Sequence, residues 1–390
     1  MIFHPIIFNL AMIKLMRNYL PFFVLFVMSL QIACKPKTDA VKKEDNAMDR
    51  QVLLTHMADS IIIPAYGNFK SQFDAFYLAA NTFSANPTES NLITLRTKWA
   101  EAYIQWQTVE LFDFGPADKQ TIRNFYNIYP ADTTGIQFNI ANPSANLEVP
   151  ASYSQQGFPA FDYLLNGTGT NDAGIIAFYT HPTESAKRLE YINRLSNRMQ
   201  SLLSLVMNDW NGVYRETFIN KTGLDIGSST SLMVNGLVLH YERFIRSGKF
   251  GIPSGAILNG VASPEKVEAF YKKDLSLSLA KTAHQAYFDC FNGKSFHAGI
   301  EGPSLKTYLN ALGAKDGVTG QSLSEIINAQ FVQCNNKING LNQNLYQEIV
   351  SNNQAVKDVF TEMQAAVRML KVDMTSAMSI TITFTDNDGD

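Results

Sequence analysis

A glutamate four residues beyond a tryptophan, on the buried side of a helix, is the first residue here that poses a chemical question. Glu110 stands there, at the end of a stripe made by Leu92, Leu95, Trp99, Tyr103, Trp106 and Val109. A buried carboxylate needs a cation or hydrogen-bond donors, so Glu110 faces either an arginine (Arg96, Arg123 or Arg243) or a ligand. A second polar set lies in the apolar segment 229–246. Asn235 and Glu242 are seven apart and share a helix face, and Arg246 follows Glu242 by four in the favoured acid-then-base order. That set reads as a structural network.

The histidines do not cluster. His4 precedes the apolar leader, His56 sits on a polar helix face, and His181 precedes a proline in a loop. His240 lies in the buried segment on the side away from Glu242, and His284 and His297 are 13 apart. No H-E-x-x-H or C-x-x-C occurs, so a zinc site of standard spacing is absent from the sequence. No G-x-S-x-G occurs either, and no cysteine has a sequence-evident histidine partner. Asp386-Asn387-Asp388-Gly389-Asp390 has the start of a calcium loop without its bidentate glutamate, and reads as an acidic end.

The elements that must position these residues are helical. Val52, Leu53, Met57, Ile61 and Ile62 fit one face, with Pro64 bending or ending the segment. Asn86 as cap, Pro87 in the first turn and Glu89 three residues past the cap predict a helix start. Gly115-Pro116 stops that helix. Another helix, over about 184–210, buries Ile192, Leu195, Met199, Leu202 and Val206. The segment 229–246 is apolar nearly all round, which predicts burial in the middle of a bundle. Further helices fit 264–290, 322–350 and 353–378. Ile136, Phe138 and Ile140, and again Ile380, Ile382 and Phe384, alternate with other residues, which predicts two short strands that pair. The stretch 113–156, rich in Pro, Asn, Gly and Thr, is too long for a plain connection and should wrap the surface or line a site. The fold expected is all-α with minor short β-strands.

High apolar content and only 17% charged residues describe a folded protein. Its net charge is −3, and no basic block survives removal of the leader, which argues against nucleic acid as a partner. Of three cysteines, Cys34 follows the leader; Cys290 and Cys334 form a disulfide or remain two buried thiols.

The segments FGPAD (114–118), GFPAFDYLL (157–165), SGKFGIPSG (247–255) and the terminal 370–390 together resemble the imelysin family, as does IIIPAYGNF (61–69) followed by the Trp99, Trp106, Glu110 helix. The resemblance covers about 49–390. It implies exported, often lipid-anchored bacterial proteins linked to iron uptake, built from two packed helical bundles, one branch of which has been called a metallopeptidase. On that basis the first bundle, with the GFPAFD segment, is expected over 49–180, and the second, with a C-terminal strand, over 181–390. The family motif, G-x-H-x-x-E, puts a nitrogen and an oxygen ligand on one helix face. Here it reads Gly157-Phe158-Pro159-Ala160-Phe161-Asp162: Pro159 has no ligating atom, and Asp162 is one methylene shorter than glutamate. The resemblance implies that the motif segment lies between the bundles, where Glu110 and Asp162 converge as an oxygen-only metal site suited to a hard cation, iron included.

Three functions remain. The first is a non-enzymatic envelope lipoprotein that binds iron, an iron-bearing ligand or an uptake partner between its bundles. The second is a metallopeptidase, disfavoured because Pro159 replaces the motif histidine. The third is a structural partner of an outer-membrane receptor that takes no small ligand.

Placement in the cell rests on the leader. Lys14 and Arg17 precede an apolar run that ends in Gln31-Ile32-Ala33-Cys34. A basic start, a short apolar core and a small residue before the cut form a secretory signal over 1–33. Cys34 then takes a lipid, and 34–48 forms a solvated tether. The uncharged run 18–33 has 16 residues, fewer than the roughly 20 a spanning helix needs. The protein is therefore expected in the bacterial envelope, on the outer membrane, on either its periplasmic or its surface face. Replacing Cys34 by serine is expected to move the chain from the membrane pellet to the soluble fraction on fractionation; a variant that still pellets as an integral protein would make 18–33 the anchor.

Overall fold

Pro64 does not end the first helix. The computed structural model describes residues 49–257 and 259–385; the leader, Cys34, the tether and the acidic terminus lie outside them. The chain enters through Arg50–His56, passes a π-helical stretch, Met57–Ile62, and continues as α1 (Ile63–Ala85). Proline has no N–H, and its ring presses on the carbonyl four residues back, which here belongs to Ser60. The wider π turn makes room for it, and the Ser60 carbonyl accepts the Phe296 N–H at 2.8 Å. Asn86 caps the C-terminus of α1 rather than starting the next helix: α2 (Glu89–Trp106) is capped by Thr88, whose hydroxyl accepts the Asn91 N–H.

The aromatic stripe of α2 is buried against α1 and against α3 (Gly157–Asn166), the motif segment. Phe158 stacks on Tyr103 with centroids 4.6 Å apart, and its carbonyl accepts the Trp99 indole N–H at 3.2 Å. The long helix α4 (Ser185–Asp209) packs on this group: Tyr77 donates to Asn197 at 2.7 Å, Gln200 donates to Asp74 at 3.1 Å, and Tyr126 donates to the Met199 carbonyl. These partners of α4, Asp74, Tyr77 and Tyr126, all precede residue 180.

The second group opens with α5 (Ser229–Leu239), which runs straight into a twelve-residue π-helix, His240–Gly251. Around it stand α6 (Ser276–Phe291), α7 (Leu323–Asn339) and α8 (Leu345–Arg368). Their core centres on Phe331, in ring contact with Tyr241, His284, Tyr287, Phe288 and Phe291. His284 bridges the Tyr241 hydroxyl and the Phe331 carbonyl, and burial lowers its pKa to about 4, so it serves as a neutral structural link.

Several boundaries differ from expectation. The helix expected over 264–290 begins only at Ser276. The break expected near 350 lies at 340–344, and Asn352, at φ −151° and ψ 54°, is a kink inside α8. The two strands do not form. Asp132 accepts the Gly135 N–H and starts a helix, Thr133–Ala141, over the alternating residues of the 130s. The terminal segment stays extended but finds no strand: Asn235 receives the Thr383 N–H and donates to the Thr381 carbonyl instead. Among the described residues the β content is two isolated bridges, Lys294 with Glu301 and Lys315 with Ser322. Cys290 and Cys334 are buried free thiols, so the disulfide alternative is not the one formed. Glu242 pairs with Lys371 at 3.0 Å and approaches Arg246 at 3.9 Å, while Asn235 holds the terminal segment.

The start of α3 depends on one backbone conformation. Gly157 has φ +76°, and a Cβ there would lie 2.3 Å from the Tyr126 carbonyl oxygen. Gly157→Ala is expected to cost about 2 kcal/mol or more, read as a lowered denaturation midpoint; an unchanged midpoint would show that this turn is not what fixes α3.

Candidate functional site

A buried polar layer lies where the end of α2, the loop around Asn127, the π-helix and the segment before α6 meet. It begins at Tyr103, whose hydroxyl donates to Asn127 at 2.6 Å. The Asn127 amide donates to Glu110 at 3.0 Å and to Glu268 at 2.8 Å. Gln107 donates to Glu268 at 3.1 Å and accepts from Lys249 at 2.7 Å, and Lys249 is in direct ion-pair contact with Glu268. His240 closes the layer, with Nε2 3.6 Å from Glu110 Oε2. These side chains are all buried.

The satisfaction of this layer is uneven. Glu110 Oε2 and both ring nitrogens of His240 have no hydrogen-bond partner, though each is shielded from water. Buried polar atoms are normally paired; here Glu110 Oε2 and His240 Nε2 face each other at 3.6 Å, just beyond hydrogen-bond distance. Charge is uneven too: Glu110 and Glu268 are two carboxylates, and one lysine, Lys249, pairs with Glu268. Burial raises the pKa of Glu110, but His240, the Lys249 charge and the Asn127 amide together outweigh it and hold the carboxyl below its ordinary range. Glu110 is therefore a carboxylate at neutral pH.

The π-helix explains why His240 and Lys249 both reach this layer. Nine residues separate them, two and a half turns of an α-helix, which would put them on opposite sides. The wider i→i+5 turn returns them to one side. Glycine lets the layer close on its outer edge: a Cβ on Gly248 would stand 3.0 Å from the Tyr129 hydroxyl.

Glu110 also lines an open cavity of about 330 Å³. Arg123, Arg243 and Lys266 line it as well, with Tyr129 and Phe244 among the remaining walls. Arg123 is fixed by Asp113 at 3.1 Å and lies 3.6 Å above the Phe244 ring, yet its buried Nη1 has no partner. The stretch 113–156, expected to wrap the surface or line a site, supplies Arg123, Asn127 and Tyr129 to these walls.

Asp162 does not join Glu110. Its oxygens accept the backbone N–H groups of Tyr271 at 2.7 Å and Lys272 at 2.8 Å, and Asn166 adds a third donor at 3.2 Å. It lines a separate cavity of about 180 Å³ with Pro159, beyond Tyr129 and Pro130, which border both spaces. The expected pair of converging carboxylates is thus replaced by one carboxylate and one imidazole. Among the described residues no group of three or more His, Cys, Asp and Glu is placed to hold a metal. None of the expected arginines pairs with Glu110: Arg96 binds Asp172, Arg123 binds Asp113, and Arg243 donates to the Thr385 carbonyl. Sequence reasoning missed His240, Lys249, Glu268, Gln107 and Asn127. The one available signal was a lysine and a glutamate set among apolar neighbours, Lys249 before Phe250 and Glu268 between Val267 and Ala269.

Comparison with known proteins follows this geometry. The model of the family described as Imelysin matches residues 62–374. The iron-regulated protein A of Synechococcus elongatus is 29% identical over 120 residues, 30% of this chain and 33% of that one; the match thus spans about a third of the curated relative. Two solved structures share the fold. An imelysin-like protein of Psychrobacter arcticum superposes with a TM-score of 0.64 at 19% identity, over 86% of this chain and 97% of its own. A protein described as an iron-regulated protein A precursor of Parabacteroides distasonis gives 0.63 at 18% identity, over 87% and 97%.

The Asp162 clamp has a pH signature. Burial raises its pKa to about 7, against the three donors that favour the charged form. The unfolded value is lower, near 4, so the folded state holds the proton more tightly and this group's contribution to stability falls as pH rises from about 4 to about 7. Asp162→Asn is expected to flatten the melting temperature over that window; an unchanged slope would assign the pH dependence to another group.

Proposed function

The chain belongs to the imelysin family, and from that premise we propose a non-enzymatic envelope protein, anchored by a lipid on Cys34, that holds iron or an iron-bearing ligand for an uptake partner. Glu110 and His240 are the residues that would hold the metal. The observation that carries this reading is the pair of bare atoms, Glu110 Oε2 and His240 Nε2, 3.6 Å apart and shut off from water. A carboxylate and an imidazole are both competent ligands for iron. A bound cation would also offset the carboxylate that Lys249 leaves unmatched. The names of the relatives, iron-regulated protein A and its precursor, support iron over other metals. An outer-membrane uptake receptor is the proposed destination of the cargo.

A peptidase would need a metal, an attacking water and a general base held together. Pro159 supplies no ligand, and Asp162 is committed to the backbone of Tyr271 and Lys272.

Iron binding by the parent chain, Glu110→Gln and His240→Ala decides the matter, with circular dichroism to confirm folding. Each variant is expected to bind at least about tenfold more weakly, a loss of about 1.4 kcal/mol. Equal binding by all three would remove these residues from the site. Cleavage of a protein substrate that stops with chelator and fails in Glu110→Gln would establish the peptidase instead.

A further inference from the structure

Resting on that reading, we propose that the metal arrives as a complex with a small anionic chelator, whose carboxylate arms are met by Arg123, Arg243 and Lys266. The donor count leads there first. Glu110 and His240 offer two ligating atoms, and among the described residues no third acidic, histidine or cysteine side chain completes a group. A hard cation takes about six ligands. Water or the molecule that carries the metal must supply the rest, and the charge of the cavity walls favours a carrier molecule.

The walls say what that molecule is like. Three cationic side chains and one carboxylate line the same cavity. A site for a bare cation would have the opposite balance, because like charges repel the ion on approach. Lys266 is half-buried and has no ion-pair partner among the described residues. Arg123 is held rigidly by Asp113 and Phe244, with the buried Nη1 unused. Guanidinium groups recognise carboxylates through paired N–H donors. Arg243, which also contacts the Thr385 carbonyl, adds a third positive group. The cavity volume of about 330 Å³ is near the lower end for small-molecule sites, so the chelator has the size of a tricarboxylic acid rather than of a large macrocycle. In this arrangement the anion occupies the cavity and the metal faces Glu110, the carboxylate that lines it, with His240 Nε2 3.6 Å from that carboxylate.

The test uses the full chain in mild detergent with four probes: ferric citrate, citrate alone, inorganic phosphate, and ferrous ion under anaerobic conditions. Ferric citrate is expected to bind at least about tenfold more tightly than ferrous ion. Lys266→Glu is expected to weaken ferric citrate by about tenfold or more and to leave ferrous binding unchanged or tighter. Lys266→Met, which removes the charge without reversing it, should fall between. Melting temperatures of both variants serve as the folding control, and Lys266 is chosen because it makes no ion pair that its loss would break. Ferrous ion bound as tightly as ferric citrate, or Lys266→Glu binding ferric citrate like the parent, would overturn the proposal while leaving the metal site standing. Citrate bound equally well with and without iron, and equally in Glu110→Gln, would keep the anion cavity but refute the chelate. Phosphate displacing ferric citrate with citrate alone inactive would likewise overturn it, making the cavity a phosphate site.

Discussion

Two carboxylates buried against one lysine set the terms for the middle of this molecule. Removing Glu110 and Glu268 from water is costly, by several kcal/mol per ion even after relaxation. The fold meets that cost with directed donors: Asn127 to both carboxylates, Gln107 and Lys249 to Glu268. Each donor comes from a different part of the chain, so the end of α2, the Asn127 loop, the π-helix and the segment before α6 are pinned to one point. The packing around them follows. Tyr103, anchored to Asn127, carries the stacked ring of Phe158 and with it the start of α3. What the layer leaves unmatched is one oxygen of Glu110 and the ring of His240.

Irregular helix turns do much of the positioning. Both the Met57–Ile62 and His240–Gly251 stretches stand just before a proline, Pro64 and Pro253. In the first case the π turn frees a carbonyl that a distant loop then uses, Ser60 receiving the Phe296 N–H. In the second it rotates His240 and Lys249 onto a shared side. Such turns cost regular hydrogen bonding and recur at functional positions. Here they place a histidine and a lysine that a regular helix of the same residues would hold apart.

Helical periodicity made most of the fold legible. The stripes of α2 and α4 and the burial of 229–246 could be read from spacing, because burial of one helix face depends on side-chain pattern alone; the stop could not, since α2 ends at Trp106 and Gly115-Pro116 instead open a short helix, Pro116–Lys119. Glu110 was legible for the same reason, as the polar residue on an apolar stripe. The partners were not. His240 lies away from Glu242 as its spacing implied, but its neighbour Glu110 comes from a distant segment, which spacing along one helix does not reveal. The alternating residues of the 130s resemble a strand, but Asp132 caps a helix over them, and local capping outweighs a pattern with no neighbouring strand to pair with. Asp162 was legible as buried; its two backbone donors were not, because Tyr271 and Lys272 lie 109 and 110 residues away.

That distance along the chain has a consequence for the order of events. The contacts that make the site join residues 141 and 142 positions apart, Asn127 to Glu268 and Gln107 to Lys249. Contacts between distant parts of a chain form late, after the loops between them have closed. Local helices can appear early, but Glu110 and His240 meet only when both groups of helices have assembled. A nascent or partly folded chain therefore lacks the facing pair of Glu110 and His240, which exists only in molecules that have completed their fold.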